Sequence, residues 1–291
     1  MPTRDMPIGP AEIPAHEQSL LAREERDVRA QARSSAIRIH GLRFLALVVF
    51  LGGWWAASGT LIDSLFFSDP LSIAISLVRI TADGSLWWHL ERTLQAMTLG
   101  YVLGVVIGLG LAIIVFSIPW GDKTLQPLLL GIFAIPKVAL APLIIVWFGI
   151  HLLPKIVLAA SLVLFIVYFS AIAGFSAVSR DLLETVRVMG ASRSALFLKL
   201  ILPSAAPYIF SAMRITLPGA LIGTIIGEFV SSNRGVGFLI GHASSRYDTA
   251  QVFAGIFSLL IFVLVLNAVV SRVEKYASRW RPDEAQGRRP S

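Results

Sequence analysis

Apolar residues run along this chain in long blocks, not in the alternation of a half-buried strand or the narrow stripe of a surface helix. A helix needs about 20 apolar residues to cross the hydrocarbon core of a membrane, so the gaps between charges mark candidate spans. Four such gaps carry no charge, at 44–62, 93–121, 156–179 and 249–271. Two further apolar blocks contain charges: 125–150 includes Lys137, and 204–230 includes Arg214 and Glu228. The pattern predicts an all-α polytopic membrane protein with about six transmembrane helices, over 44–62, 94–118, 125–150, 156–178, 205–230 and 250–271. Residues 41–275 then form the membrane domain, 1–40 a polar and partly disordered N-terminal tail, and 276–291 a C-terminal tail. The tail carries Pro2, Pro7, Pro10 and Pro14. Residues 15–34 can form a polar helix but have little apolar face with which to dock it. The first apolar block begins at Phe44, later than the position of a secretory signal peptide.

Composition supports the membrane reading. Hydrophobic residues make up 55% and charged residues 15% of the 291, against about 25% charged in a soluble domain. With 0 Cys, disulfides, Cys-ligated metals and thiol catalysis are excluded. The net charge of +7 is unaccompanied by a nucleic-acid recognition motif; basic residues in cytoplasmic loops account for it. If the N-terminus is cytoplasmic, 18 Lys and Arg fall in inside segments and 5 in outside segments. Both termini are therefore expected inside. Trp87, Trp88, Trp120 and Trp147 fall near span ends, where indole rings anchor at the interface; Trp54 and Trp55 fit packing better.

Within the spans, Gly100, Gly104 and Gly108 recur four apart and lie on one helix face, which permits close approach of another backbone. Packing within one chain is the simpler expectation and a subunit interface the alternative. Pro127, Pro136 and Pro142 interrupt the third block, and Pro203, Pro207 and Pro218 the fifth. Broken membrane helices persist where protein or a water-filled cavity satisfies the freed backbone groups. Intramembrane charge marks a functional site by default. Pro136, Lys137, Pro142, Arg214 and Glu228 are therefore the candidate pathway residues. Lys137 can also snorkel, Arg214 can reach the cytoplasmic interface, and Glu228, near the outer end of its block, is expected to be half-solvated.

The segment 178–203 is the longest polar interruption on the inside. Asp181 and Glu184 have capping-box spacing. Leu182, Leu183, Val186 and Met189 give an apolar helix face, Gly190 suits a left-handed helix end, and Ser192 can cap a second short helix. Pro203 marks the next boundary. Two short helices meeting at Gly190 suit insertion into a groove of a soluble partner, although shape alone favours a connecting loop lying on the membrane surface.

The same stretch resembles the cytoplasmic coupling motif of bacterial ABC-importer permeases, in which Glu-Ala-Ala precedes Gly by three residues and Ile-x-Leu-Pro follows nine residues later. Glu184, Gly190, Leu202 and Pro203 fall in register; Thr185 and Val186 replace the alanines, and Leu200 the isoleucine. Pro136-Lys137-Val138-Ala139-Leu140-Ala141-Pro142-Leu143, leading into Trp147-Phe148-Gly149, resembles the third span of the nitrate/sulfonate/taurine branch. Glu228-Phe229-Val230 with Arg234-Gly235-Val236-Gly237-Phe238-Leu239-Ile240, and the stretch Asp248 to Phe253, resemble its fifth and sixth spans. The likeness covers roughly residues 44–275. It implies a type I importer permease fold in the bacterial inner membrane and a homodimer of such subunits. It further implies two cytoplasmic ATPase subunits docking at Asp181, Glu184, Thr185, Val186, Met189, Gly190, Ala191, Ser192, Leu202 and Pro203. An extracytoplasmic binding protein would deliver a small solute, an aliphatic sulfonate, taurine or nitrate-type anion, or in close relatives a vitamin precursor.

The chain itself carries no phosphate-binding loop, since its five lysines follow Asp122, Pro136, Pro154, Leu198 and Glu274 and never glycine. No cofactor or metal is expected: His16, His40, His89, His151 and His242 are scattered without ligand spacing, and each is expected at a surface or interface. A secondary transporter or channel acting alone is the competing reading. It predicts more buried carboxylates or histidines as ion relays, and internal repeats. An integral membrane enzyme would need a convergent polar constellation.

Overall fold

A computed structural model describes residues 38, 39, 41–58, 63 and 66–277. The proline-rich tail, the polar stretch 15–34, His16, His40 and the last residues of the C-terminal tail lie outside the described residues. The chain divides into two units, residues 1–64 and 65–291. In the first, α1 spans Gly41–Ala57. Phe50 and Trp54 meet edge to face there, at 6.0 Å, whereas Trp55, expected to pack, is 65% exposed.

The described part of the second unit is helical throughout. It contains α2 (Pro70–Ala82), α3 (Ser85–Ser117), α4 (Gly121–Ala134), α5 (Ala141–Phe148), α6 (Leu153–Ser176), α7 (Arg180–Val188), α8 (Arg193–Leu196), α9 (Leu202–Ser231), α10 (Val236–Ser245) and α11 (Thr249–Ala277). A π-helical turn, Phe197–Ile201, joins α8 to α9. Among the described residues, four helices are long and apolar enough to cross a membrane: Ser85–Ser117, Leu153–Ser176, Arg193–Ser231 and Thr249–Val269. A bent pair makes a fifth. Six spans were expected; α1, at Gly41–Ala57, is shorter than the others, and the end of its block lies outside the described residues.

The third block does not form one straight helix. It bends by 74° between α4 and the segment Lys137–Phe148. Pro136 explains the break, because a residue before proline is pushed out of the helical region, and Ile135 is extended (φ −65°, ψ 125°). Pro142 then falls in the first turn of α5, where its missing N–H costs nothing. The fifth block shows the opposite. Pro203, expected as a boundary, lies inside a continuous helix from Arg193 to Ser231. The π turn before it, closed by the Leu202 N–H on the Phe197 carbonyl, widens the ladder where proline would otherwise clash with it. Helices α2 and α10, which charge gaps do not reveal, are short and partly polar. Asp69 caps α2, accepting from the Ser72 N–H at 2.9 Å, and these Ser72 bonds hold its carboxyl below the usual value.

α6 is the centre of the bundle, with α3 on one side and α9 on the other. Ala159, fully buried, is pinched between Gly100 of α3 and Gly223 of α9. A Cβ at Gly104 would stand 2.7 Å from the Val163 Cβ, and one at Gly223 2.7 Å from the Ala159 Cα. The glycine stripe therefore serves packing within the chain, the simpler of the two expectations. In a membrane, where helices gain nothing from leaving lipid for one another, such close approach is what drives association.

Candidate functional site

The bundle has two ends of different construction. At one end, α6 stops at Ser176 and the chain turns through α7 and α8. Ser179 Oγ accepts from the Leu182 N–H (3.4 Å) and caps α7. The expected Asp181/Glu184 box is not the cap, because the helix begins at Arg180, two residues too early for it. α7 closes in a Schellman motif. The Ala191 N–H reaches the Val186 carbonyl (3.3 Å), the Gly190 N–H reaches that of Arg187 (2.9 Å), and Gly190 has φ +88°. Ser192 then caps α8 through the Ala195 N–H (3.2 Å). The left-handed glycine and the second cap lie where the sequence predicted them.

The apolar face of α7 divides. Leu183 and Val186 lean on the core formed by Tyr168, Phe175, Leu196 and Ile201. Leu182, Val188 and Met189 are exposed, the last two at 89% and 80%. Asp181, Glu184, Thr185, Gly190 and Ser192 are exposed beside them, Ala191 is half-buried, and Leu202 and Pro203 lie half-buried at the root of α9. An exposed helix with locally capped ends and an uncovered Val188–Met189 tip is suited to docking.

The opposite end is built from buried polar contacts. Glu228, expected to be half-solvated, is 1% exposed. Its carboxylate accepts from Thr93 Oγ1 (2.8 Å) and from the Gly237 N–H (2.7 Å). Thr93 Oγ1 in turn accepts from the Val236 N–H (2.8 Å), and His89 Nδ1 from the Gly235 N–H (3.1 Å). Three successive N–H groups at the start of α10 are thus each held by a side chain of α3 or α9. A helix N-terminus supplies orphan donors and partial positive charge, so a carboxylate there is favourable. The bond from Gly235 leaves the His89 proton on Nε2. His89 is therefore a buried structural group, where a surface or interface residue was expected. Arg234 completes the end, donating to the Trp88 carbonyl (2.8 Å) and to Glu91 (2.6 Å) with its guanidinium 4.3 Å from the Trp88 ring. His89 and Thr93 are four apart on one helix face. That spacing was legible, but nothing local paired them with Glu228.

The remaining candidates are dispersed. Lys137 lies at the α4–α5 break with Pro136 and Pro142. It is 8% exposed, its Nζ donates to the Ile132 carbonyl (2.5 Å), and it stands 4.9 Å over the Phe165 ring. Its ammonium thus closes the last turn of α4. Arg214 is on an exposed face of α9, away from both ends of that helix.

The description of the family of inner-membrane components of binding-protein-dependent transport systems matches residues 100–281. Among curated proteins, the chain is 32% identical to the riboflavin transport system permease protein RibX of Chloroflexus aurantiacus, over 81% of this chain and 87% of that one. It is 30% identical to the formylaminopyrimidine transport permease protein ThiX of Halalkalibacterium halodurans, over 82% and 94%. It is also 30% identical to the putative aliphatic sulfonates transport permease protein SsuC of Bacillus subtilis, over 81% and 84%. Among solved structures, the MetNI methionine ABC transporter in an inward-facing conformation superposes with a TM-score of 0.56, covering 69% of this chain and 95% of that chain at 19% identity.

Proposed function

The chain belongs to the family of inner-membrane components of binding-protein-dependent transport systems, and we propose that it is the permease subunit of an importer for a small sulfonate, taurine or nitrate-type anion. The observation that carries the transport mechanism is the self-capped α7 element with its exposed Val188–Met189 tip. Two such subunits would pair in the membrane, and each α7 would seat in a groove of a cytoplasmic ATPase subunit. A cytoplasmic N-terminus is part of this reading, and the 18 to 5 distribution of basic residues supports it. ATP-driven closure of the ATPases then pushes on Glu184 through Pro203. Because Arg193–Ser231 is one helix, the push travels as a rigid body to the Glu228 end, where a binding protein delivers solute. The bend at Pro136 and Lys137 supplies a natural hinge on the pathway side.

The sulfonate reading is supported by likeness to the SsuC protein and to the taurine transport system permease protein TauC of Escherichia coli. A second reading, import of a vitamin precursor, is favoured by comparable likeness to the ThiX and RibX proteins. One experiment addresses both levels. Tagged protein is purified from its native membrane in mild detergent and its companions are identified by mass spectrometry. Recovery of an ATPase subunit, lost on Glu184→Lys, supports the importer reading. The companion binding protein is then titrated with taurine, methanesulfonate, nitrate, riboflavin and formylaminopyrimidine. Recovery of the chain alone, with uptake that survives ATP depletion but collapses with the ion gradient, overturns it.

A further inference from the structure

At the end of the bundle opposite α7, a cleft of about 400 Å³ opens between α3, the start of α6 and the end of α9. Its polar lining consists of Arg92, His151, Lys155, Ser231, Ser232 and Asn233, and among the described residues no carboxylate lines it. Lys155 is only 3% exposed, so its ammonium is held where charge is costly. It makes a single hydrogen bond, to Ser232 Oγ at 2.8 Å, although an ammonium has three N–H donors. Glu228 attracts its charge from behind, but that carboxylate is hydrogen-bonded by Thr93 and Gly237 and forms no ion pair with it within 4 Å. Glu91, close to Arg92 in sequence, is paired with Arg234. Arg92 commits one nitrogen to Gln95 (2.7 Å) and keeps its remaining donors. The cleft also lies at the N-terminus of the 24-residue α6, where the helix dipole favours an anion.

Glu228 attracts the Lys155 charge from behind, but on the cleft side no carboxylate among the described residues faces the ammonium. Two cations, a histidine and an amide around a cleft this size match a small, multiply accepting anion. A guanidinium presents its donors in one plane, which suits two oxygens of such a group.

We propose that this cleft is an acceptance site for a small oxyanion of the sulfonate or nitrate class. Lys155 and Arg92 supply the charge and, with the Asn233 amide, the hydrogen bonds; Ser232, whose proton goes to the Arg234 carbonyl, holds the Lys155 ammonium in place. The proposal rests on the importer reading only for its direction: this end faces the compartment from which solute arrives.

The cysteine-free sequence provides a direct test, because Asn233→Cys creates a single thiol at an exposed position of the cleft. The full-length variant is purified and reconstituted, and modification is timed with a sulfonate-bearing and a trimethylammonium-bearing methanethiosulfonate reagent. The anionic reagent should react faster by at least roughly tenfold. Methanesulfonate should slow it more than chloride at the same ionic strength. Arg92→Gln and Lys155→Gln should each reduce the preference severalfold; Arg92, half-exposed, keeps the test open if Lys155→Gln does not fold. Equal rates for the two reagents, a preference untouched by Arg92→Gln, or equal protection by chloride and methanesulfonate would each overturn the proposal. Co-purification of the ATPase is read separately, so failure of the cleft leaves the importer reading standing, and failure of co-purification leaves the cleft measurable.

Discussion

The two ends of the bundle solve the same problem, how to satisfy backbone groups where helices stop, by opposite means. At the α7 end every satisfied group finds its partner nearby: Ser179 with Leu182, Ser192 with Ala195, Val186 with Ala191. At the Glu228 end the bonds cross 135, 143 and 146 residues of chain. A locally completed element can be pushed, rotated or seated in a partner without losing its internal bonds. An end tied by long-range buried bonds cannot move without dragging α3, α9 and α10 together. The α7 end is thus suited to receive force, and the Glu228 end to keep three helices in register while they move.

The contrast is most exposed at Gly190 and Glu184. Gly190→Asp places a side chain on a residue at φ +88° with open space around it. It should disturb the turn and its docking surface, not the core. Uptake driven by ATP should be abolished in Gly190→Asp and in Glu184→Lys, while membrane insertion and melting temperature in detergent stay near those of the unaltered protein. Full uptake in both variants at normal expression would show that force does not enter at this end.

The reverse behaviour is expected of Glu228. Glu228→Leu leaves the Gly237 N–H and the Thr93 hydroxyl facing an apolar side chain in a buried site. Loss of such a network costs about 3 kcal/mol, read as a lower melting temperature and reduced recovery of folded protein. Glu228→Gln keeps an acceptor and should lose about half as much. Thr93→Val, of similar shape, removes both a donor to Glu228 and the acceptor for the Val236 N–H, at a cost of about 2 kcal/mol. If Glu228→Leu were as stable as the unaltered protein but inactive, the carboxylate would be a transport residue and not a tie. Gly235 gives a geometric check. Its φ is +133°, and an added Cβ would fall on the Glu228 carboxylate, so Gly235→Ala should destabilise like Thr93→Val.

Lys137 belongs to neither end, and its effect should be smaller. Lys137→Ala frees the Ile132 carbonyl at the bend and removes the cation over Phe165. Uptake should fall severalfold, through a hinge that closes less faithfully, with substrate affinity unchanged. Lower affinity at an unchanged maximal rate would instead make Lys137 a solute contact.

What could be read from the sequence follows the same division. The apolar blocks, the left-handed Gly190 and the Ser192 cap depend on residues a few positions apart, and each was legible. The polar tie was not. Glu228 looked half-solvated because it is near the end of its block, and His89 looked like a surface residue because no ligand spacing surrounds it. Their partners are set by how α3 and α9 lie against α6, which one chain's spacing does not state. Prolines were ambiguous for a related reason. Pro136 breaks its helix, whereas Pro203 is absorbed by a π turn, and the outcome depends on the carbonyl available four residues back. The capping box at Asp181 and Glu184 had the right spacing, yet Ser179 begins the helix two residues earlier and takes the role.

The finest separation of the two ends comes from a pair of single-atom changes. Ser179→Ala removes the hydroxyl that caps α7, and an N-cap of this kind contributes about 1 kcal/mol to its helix. Because α7 is exposed and its other end is closed by its own Schellman turn, that loss should stay local. Amide exchange should quicken across Leu182 and Leu183, the melting temperature should hardly move, and uptake should drop modestly because the docking helix is formed less of the time. Thr93→Val also removes one hydroxyl, but exchange should quicken at Val236 and Gly237, far along the chain, and global stability should fall with it. If Ser179→Ala instead lowered the melting temperature as much as Thr93→Val, α7 would be part of the cooperative core, and its independence as a pushed element would be lost.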